Sequence, residues 1–149
     1  MPSIIPGYVY TLFAALVVGA IIVVGCTMAT LNVRTQAVNQ QLSNVEQYVA
    51  AQSLALVSHV TEDNQNITQV LNLPAQVGNQ VYWVSLGSDT TGVDVTGGLG
   101  STEVIGSQPG VSIPAQIAAS GTYSSTSGRA LLQCSVENQT VTLTLTEID

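Results

Sequence analysis

Ile4-Ile-Pro-Gly-Tyr-Val-Tyr-Thr-Leu-Phe-Ala-Ala-Leu-Val-Val-Gly-Ala-Ile-Ile-Val-Val-Gly-Cys-Thr-Met-Ala-Thr-Leu31 is an almost unbroken apolar run, and the first charged side chain is Arg34. About 20 such residues suffice to cross a hydrocarbon core as a helix. Pro6 suits a first helical turn, where a missing N–H leaves no bond unmade. A helix that is apolar on every side has to lie in lipid or inside an assembly larger than one small chain. Residues 1–33 are therefore expected to serve as a membrane or filament-core segment, with Leu12, Phe13, Leu16, Ile22 and Val23 as its bulk.

Downstream the pattern changes without a stop signal. No Pro or Gly occurs from Thr35 to Thr61. Leu42, Val45, Val49, Leu56 and Val60 recur at helical spacing, and Gln40, Gln41, Asn44, Glu46, Gln47 and Gln52 are expected on the other faces. One continuous helix is predicted from about Gly7 to about Thr61, roughly 80 Å long at 1.5 Å per residue. Residues 34–61 form its amphipathic part, which uses that stripe to pack on a head domain comprising residues 62–149.

The head reads as β-structure. Val81 to Leu86 follow a turn at Gly78-Asn79, and Val93 and Val95 flank Asp94. Ala130, Leu132, Cys134 and Val136 alternate with their neighbours, as do Val141, Leu143 and Leu145 with Thr140, Thr142, Thr144 and Thr146. Such alternation gives a sheet with one packed face and one wet face. The expected fold class is α+β: a long N-terminal apolar helix followed by a small antiparallel sheet or sandwich of five to seven strands. Gly97-Gly-Leu-Gly100 reads as turns.

Composition narrows the function. The 149 residues carry two basic and nine acidic side chains, a net charge of -7, so nothing neutralises phosphates and nucleic-acid binding is excluded. Polarity comes instead from 16 Thr, 14 Ser, 13 Gln and 8 Asn. A chain this apolar and lightly charged is not disordered. It suits a wetted extracellular surface.

Catalytic chemistry is not expected. His59 is the single histidine, and Cys26 and Cys134 have no zinc spacing and lie too far apart in this plan to form a disulfide. Glu62, Asp63, Asp89, Asp94 and Glu103 lack a calcium-loop pattern. No cofactor or metal is expected. Two sequons, Asn66-Ile-Thr68 and Asn138-Gln-Thr140, match about the 1.6 that composition alone supplies. Their loop and turn positions make Asn66 and Asn138 candidate N-glycosylation acceptors.

Small residues in the apolar run are more informative. Ala15 and Gly19, and again Gly25 and Ala29, stand four apart, a spacing that lets helices approach closely in apolar surroundings.

Three stretches carry a family resemblance: the opening Met1-Pro-Ser-Ile-Ile-Pro-Gly-Tyr-Val-Tyr10; Leu73-Pro74 with Val77-Gly-Asn-Gln-Val-Tyr-Trp83; and Ile117-Ala-Ala-Ser-Gly-Thr-Tyr123. In this order the sequence resembles the archaeal type IV pilin-like proteins, related in plan to archaellins. The resemblance implies a precursor cut by a prepilin peptidase, membrane insertion before assembly, and a helical homopolymer at the cell surface with its β-domains outward. It also implies a short basic leader, absent ahead of this apolar run, so Met1 is expected to be the first mature residue. Ile5 stands where bacterial pilins carry an acid, leaving subunit register to helix packing. A competing reading takes Val23-Val-Gly-Cys26 as a lipid-attachment pattern that anchors an extracellular binding protein. The basic n-region of a signal peptide is missing from it.

Overall fold

Pro6 is the last proline before Pro74, and the helix that follows it is long. The computed structural model describes residues 4–63, 65–90, 92–101, 110–115, 117–137 and 140–148. Helix α1 spans Ile4–Asp63. Its threonines direct their hydroxyls back onto the preceding turn, Thr27 to the Val23 carbonyl at 2.8 Å, Thr30 to Cys26 at 2.9 Å and Thr35 to Leu31 at 3.0 Å. Each hydroxyl is thereby satisfied without water, which suits apolar surroundings. By internal packing the chain divides into two units, Met1–Ala37 and Val38–Asp149.

The second unit contains the rest of α1 and seven strands: β1 (Ile67–Leu71), β2 (Tyr82–Asp89), β3 (Gly92–Leu99), β4 (Val111–Ile113), β5 (Ala118–Ser124), β6 (Arg129–Glu137) and β7 (Thr140–Ile148). They form one sheet in the order β1-β6-β7-β5-β2-β3-β4. The α+β plan read from sequence holds, with a single sheet rather than a sandwich. One pairing departs from antiparallel: Ala118–Ser120 of β5 runs parallel to Thr142–Thr144 of β7. The cause is topological. Strands β5 and β6 are joined by a short turn yet leave a one-strand gap, and β7 fills it, antiparallel to β6. Glu147 of β7 then accepts a hydrogen bond from the Ser124 amide at 2.8 Å, closing the split at its open end.

Period-2 alternation sends one set of side chains inward. Tyr82, Val84 and Leu86 of β2, Val93 and Val95 of β3, Leu132 and Cys134 of β6, and Leu143 and Leu145 of β7 are buried in one cluster. Leu42, Val45, Val49, Leu56 and Val60 of α1 belong to the same cluster. Burial of an aliphatic side chain of this size is worth about 1.5–3 kcal/mol, so this shared core is the main driving force for the unit. Tyr82 and Tyr123 meet edge to face, ring centroids 6.4 Å apart.

The opposite face carries Trp83 over Gly98 and, at the β1, β6 and β7 end, Val70, Leu131 and Ile148, with a small, polar row between them. One row crosses all seven strands through the register partners Ser112, Asp94, Gly87, Ser120, Thr144, Gln133 and Thr68. Asp94 is the only charged residue of that row.

Two sequence readings need correction. Gly97 and Gly98 are not turn residues but lie inside β3, paired with Val84 and Trp83. A Cβ at Gly97 would come within 2.9 Å of Glu46 Oε1, and one at Gly98 would strike the Trp83 indole. The glycines make room on both faces. Glu46, expected on a wet face of the helix, is only 4% exposed and lies against Gly97. It stands four residues after Leu42 and three before Val49, in the middle of the buried stripe.

Candidate functional site

In the first unit, every described side chain from Gly7 to Ala37 is exposed. Leu12, Phe13, Leu16, Ile22 and Val23 are each between half and two-thirds exposed, and Ala15, Gly19, Gly25 and Ala29 are exposed beside them. Isolated exposed apolar residues are ordinary, but a contiguous surface of this extent marks a lipid- or protein-facing site. The helix is long and apolar enough to cross a membrane by length and composition.

Added Cβ atoms at Gly19 and Gly25 would meet nothing within 4 Å. No contact inside the chain accounts for these glycines, although each costs about 1 kcal/mol of helix propensity relative to alanine. Ala15, Gly19, Ile22, Cys26 and Ala29 share one side of α1 at spacings of four, three, four and three, with Ile22 its one large member. Cys26 thus stands as the third small member of that stripe, a role that its residue type and spacing from Cys134 do not suggest. The helix continues without a break through Val23 to Cys26.

In the second unit, the stripe residues Leu42, Val49 and Val60 are at most 1% exposed, Leu56 4% and Val45 7%. They are held against the sheet by flanking polar contacts. Gln69 of β1 donates to Gln52 of α1 at 2.8 Å, and the Gly78 amide donates to Gln41 at 3.1 Å.

Chemically active groups are dispersed. His59 is exposed on α1, and Cys26 is exposed while Cys134 is buried, both free thiols. Burial pushes the Cys134 thiol upward, which keeps it protonated and unreactive. Burial likewise raises the Tyr82 and Tyr123 phenols, and the nearby Glu147 carboxylate adds to the effect on Tyr123. Tyr82 spends its proton on the Pro74 carbonyl at 2.7 Å. Asp89 caps its own turn through the Thr90 amide at 2.6 Å. Among the described residues no three His, Cys, Asp or Glu side chains gather as metal ligands.

Asn66 is exposed just before β1, and its side-chain oxygen accepts a hydrogen bond from the Val136 amide at 3.1 Å. Glu103 and the second sequon asparagine, Asn138, lie outside the described residues.

Comparison with known proteins returns no matching family model, no matching curated protein and no matching solved structure. The long apolar helix followed by a β-sheet head is consistent with a pilin-like architecture, and the function has to be argued from that geometry.

Proposed function

We propose that this protein is the structural subunit of an archaeal type IV pilus-like filament, built for adhesion or surface contact. Residues 4–31 hold the chain in the membrane until assembly, then pack against the same segment of other copies in a filament core. The head faces outward. A prepilin peptidase and a dedicated assembly machinery act before and during that transfer, as the family resemblance implies, and no catalytic step belongs to the chain itself.

The observation that carries this reading is the fully exposed apolar surface of residues 7–33 on a helix whose later turns complete a folded head. Transfer from lipid to a helical bundle exposes no backbone group, because a helix satisfies its own. No charged side chain precedes Arg34, so no ion is desolvated on the way. The stripe at Ala15, Gly19, Cys26 and Ala29 supports close helix approach. The Ser- and Thr-rich outer face of the sheet supports a wetted exterior with few charges to repel.

Electron cryomicroscopy of material sheared from cells, with mass spectrometry of its N-terminal peptide, tests this. Filaments with a helical core, whose N-terminal peptide retains the apolar run ahead of Cys26, are expected. Discrete particles, or a peptide beginning at a lipidated Cys26, would replace the filament subunit with an anchored extracellular binding protein.

A further inference from the structure

Beside the head's core is a cavity of about 450 Å³, walled on one side by Gln41, Asn44 and Tyr48 of α1 and on the other by the β1–β2 connection, where Asn72, Pro74 and Gln76 line it. Its volume is that of a small-molecule site. Four carboxamides and one phenol supply its polarity above Val45, Leu73 and Val77, and among the described residues no charged side chain lines it.

The connection is held in place rather than draped. Pro74 offers its carbonyl to the buried Tyr82 hydroxyl at 2.7 Å. Val77 and Gln80 exchange both backbone hydrogen bonds, at 2.9 and 3.0 Å, across a turn with Gly78 and Asn79 at φ 58° and 65°. Two adjacent positive φ values define a tight primed hairpin turn. Gly78 also has to be a glycine because a Cβ there would collide with Val38 of α1. The turn is tied to the helix through the Gly78 amide and Gln41. The cavity is therefore preformed, which lowers the ordering cost of binding.

Its side chains are available. Asn72 and Gln76 are exposed and form no side-chain hydrogen bond to any described residue, so each presents both a carbonyl acceptor and an NH₂ donor. Gln41 and Asn44 have their oxygens engaged and keep their NH₂ groups as donors. Tyr48 is 38% exposed, a ring on the cavity wall whose hydroxyl has no protein partner among the described residues.

From this we infer that the groove binds a neutral saccharide. A sugar presents neighbouring hydroxyls, each both donor and acceptor, which paired amide donors and acceptors match. Its C–H face suits the flat surfaces of Tyr48 and Pro74. An anion would find no countercharge among the described lining residues, and a purely apolar ligand would leave the amide donors and acceptors unused. The assignment does not rest on polymerisation, since every residue involved lies in the second unit of a single chain.

The test uses the full chain dispersed in a sugar-free zwitterionic detergent, so that its outcome is independent of filament formation. Saturation-transfer NMR is recorded against glucose, galactose, mannose, N-acetylglucosamine, cellobiose and chitobiose, with adenosine and glutamate alongside. At least one sugar is expected to receive magnetisation on its C–H protons. Tyr48→Ala and Asn72→Ala should each weaken that binding roughly three- to tenfold. Asn72 is exposed, so Asn72→Ala should melt as the parent does; Tyr48 is more than half covered, so Tyr48→Ala is compared well below its own melting temperature, and Leu54→Ala, exposed elsewhere on α1, should leave binding unchanged. No transfer to any sugar, transfer that survives both groove substitutions intact, or preference for adenosine or glutamate would overturn the assignment.

Discussion

Helix α1 carries two stripes of the same period with opposite fates. From Ala15 the stripe runs through Gly19, Ile22, Cys26 and Ala29, all small except Ile22 and all exposed. From Leu42 it runs through Glu46, Val49, Ser53, Leu56 and Val60, mostly large and all buried. The backbone and its hydrogen bonding are alike in both. Only the second finds its partner within the chain, and the difference is one of side-chain volume. Large aliphatic residues fill the space above a sheet, where helix and strands meet through side chains. Small residues leave that space empty, which is useful only if another backbone is to approach.

The comparison breaks most visibly at Leu42. It is 1% exposed, and Leu42→Ala should lower the stability of the head by about 2–5 kcal/mol through lost burial and a residual cavity. Leu16, 65% exposed, has no partner within the chain, and Leu16→Ala should leave head unfolding within about 0.5 kcal/mol of the parent. Denaturant titration followed by Trp83 fluorescence checks both. Equal losses would mean that the two parts of α1 are not energetically distinct.

Charge reverses the roles. Leu16→Arg should cost about 3–4 kcal/mol for a helix centred in lipid, depleting the membrane-held pool and with it any sheared filament. Head unfolding should not change. Quantifying the chain in membrane and sheared fractions checks the expectation, and normal filaments would contradict the transfer from lipid to filament core.

A finer probe is Gly19→Leu. Apart from the helix's own neighbouring backbone, no described atom lies within 4 Å of a Cβ there, so the isolated chain should tolerate the side chain or gain helix propensity. In a close-packed bundle the same change should cost about 1–3 kcal/mol per contact by overpacking. Filaments that are absent or altered, from a chain that still inserts and folds, are the expected result by electron microscopy. Normal filaments would place the small stripe away from the helix contacts.

The buried stripe from Leu42 to Val60 is legible in the amino-acid order alone, apart from Glu46. All-round apolarity announces the first part of α1, and strict alternation announces β3, β6 and β7. Strands β1, β4 and β5 are harder to see. Ala118–Ser124 holds small residues and a glycine, so it has no alternation of size to read, and Val111–Ile113 is three residues long. Gly97 and Gly98 mislead because glycine marks turns far more often than a strand squeezed between a carboxyl and an indole. Glu46 misleads for a related reason. Its chemistry suggests water, whereas the spacing of four and three from Leu42 to Val60 places it inside. Period is the better guide than polarity. The saccharide groove joins helix positions to a loop more than twenty residues on, and no local pattern connects them.

Glu46 also supplies the smallest effect, confined to a pH window. Burial raises its carboxyl above the ordinary value of 4.5, while a hydrogen bond from the Gly97 backbone N–H opposes the shift in part. An acid whose folded value is raised binds its proton more tightly in the fold than in the unfolded chain. Below 4.5 the group is protonated in both states and stability is unaffected. As pH rises past 4.5 the unfolded chain ionises first, so stability falls until the folded group also ionises, and is level beyond that. Glu46→Gln keeps an acceptor for the Gly97 amide but cannot ionise. Other carboxylates titrate over the same range, so the informative quantity is the stability of the variant minus that of the parent, measured by denaturant titration from pH 4 to pH 8. That difference should become more positive with pH and then level off. A difference that is flat, or that falls with pH, would mean that the carboxyl is solvated in solution and that the buried stripe ends at Val49.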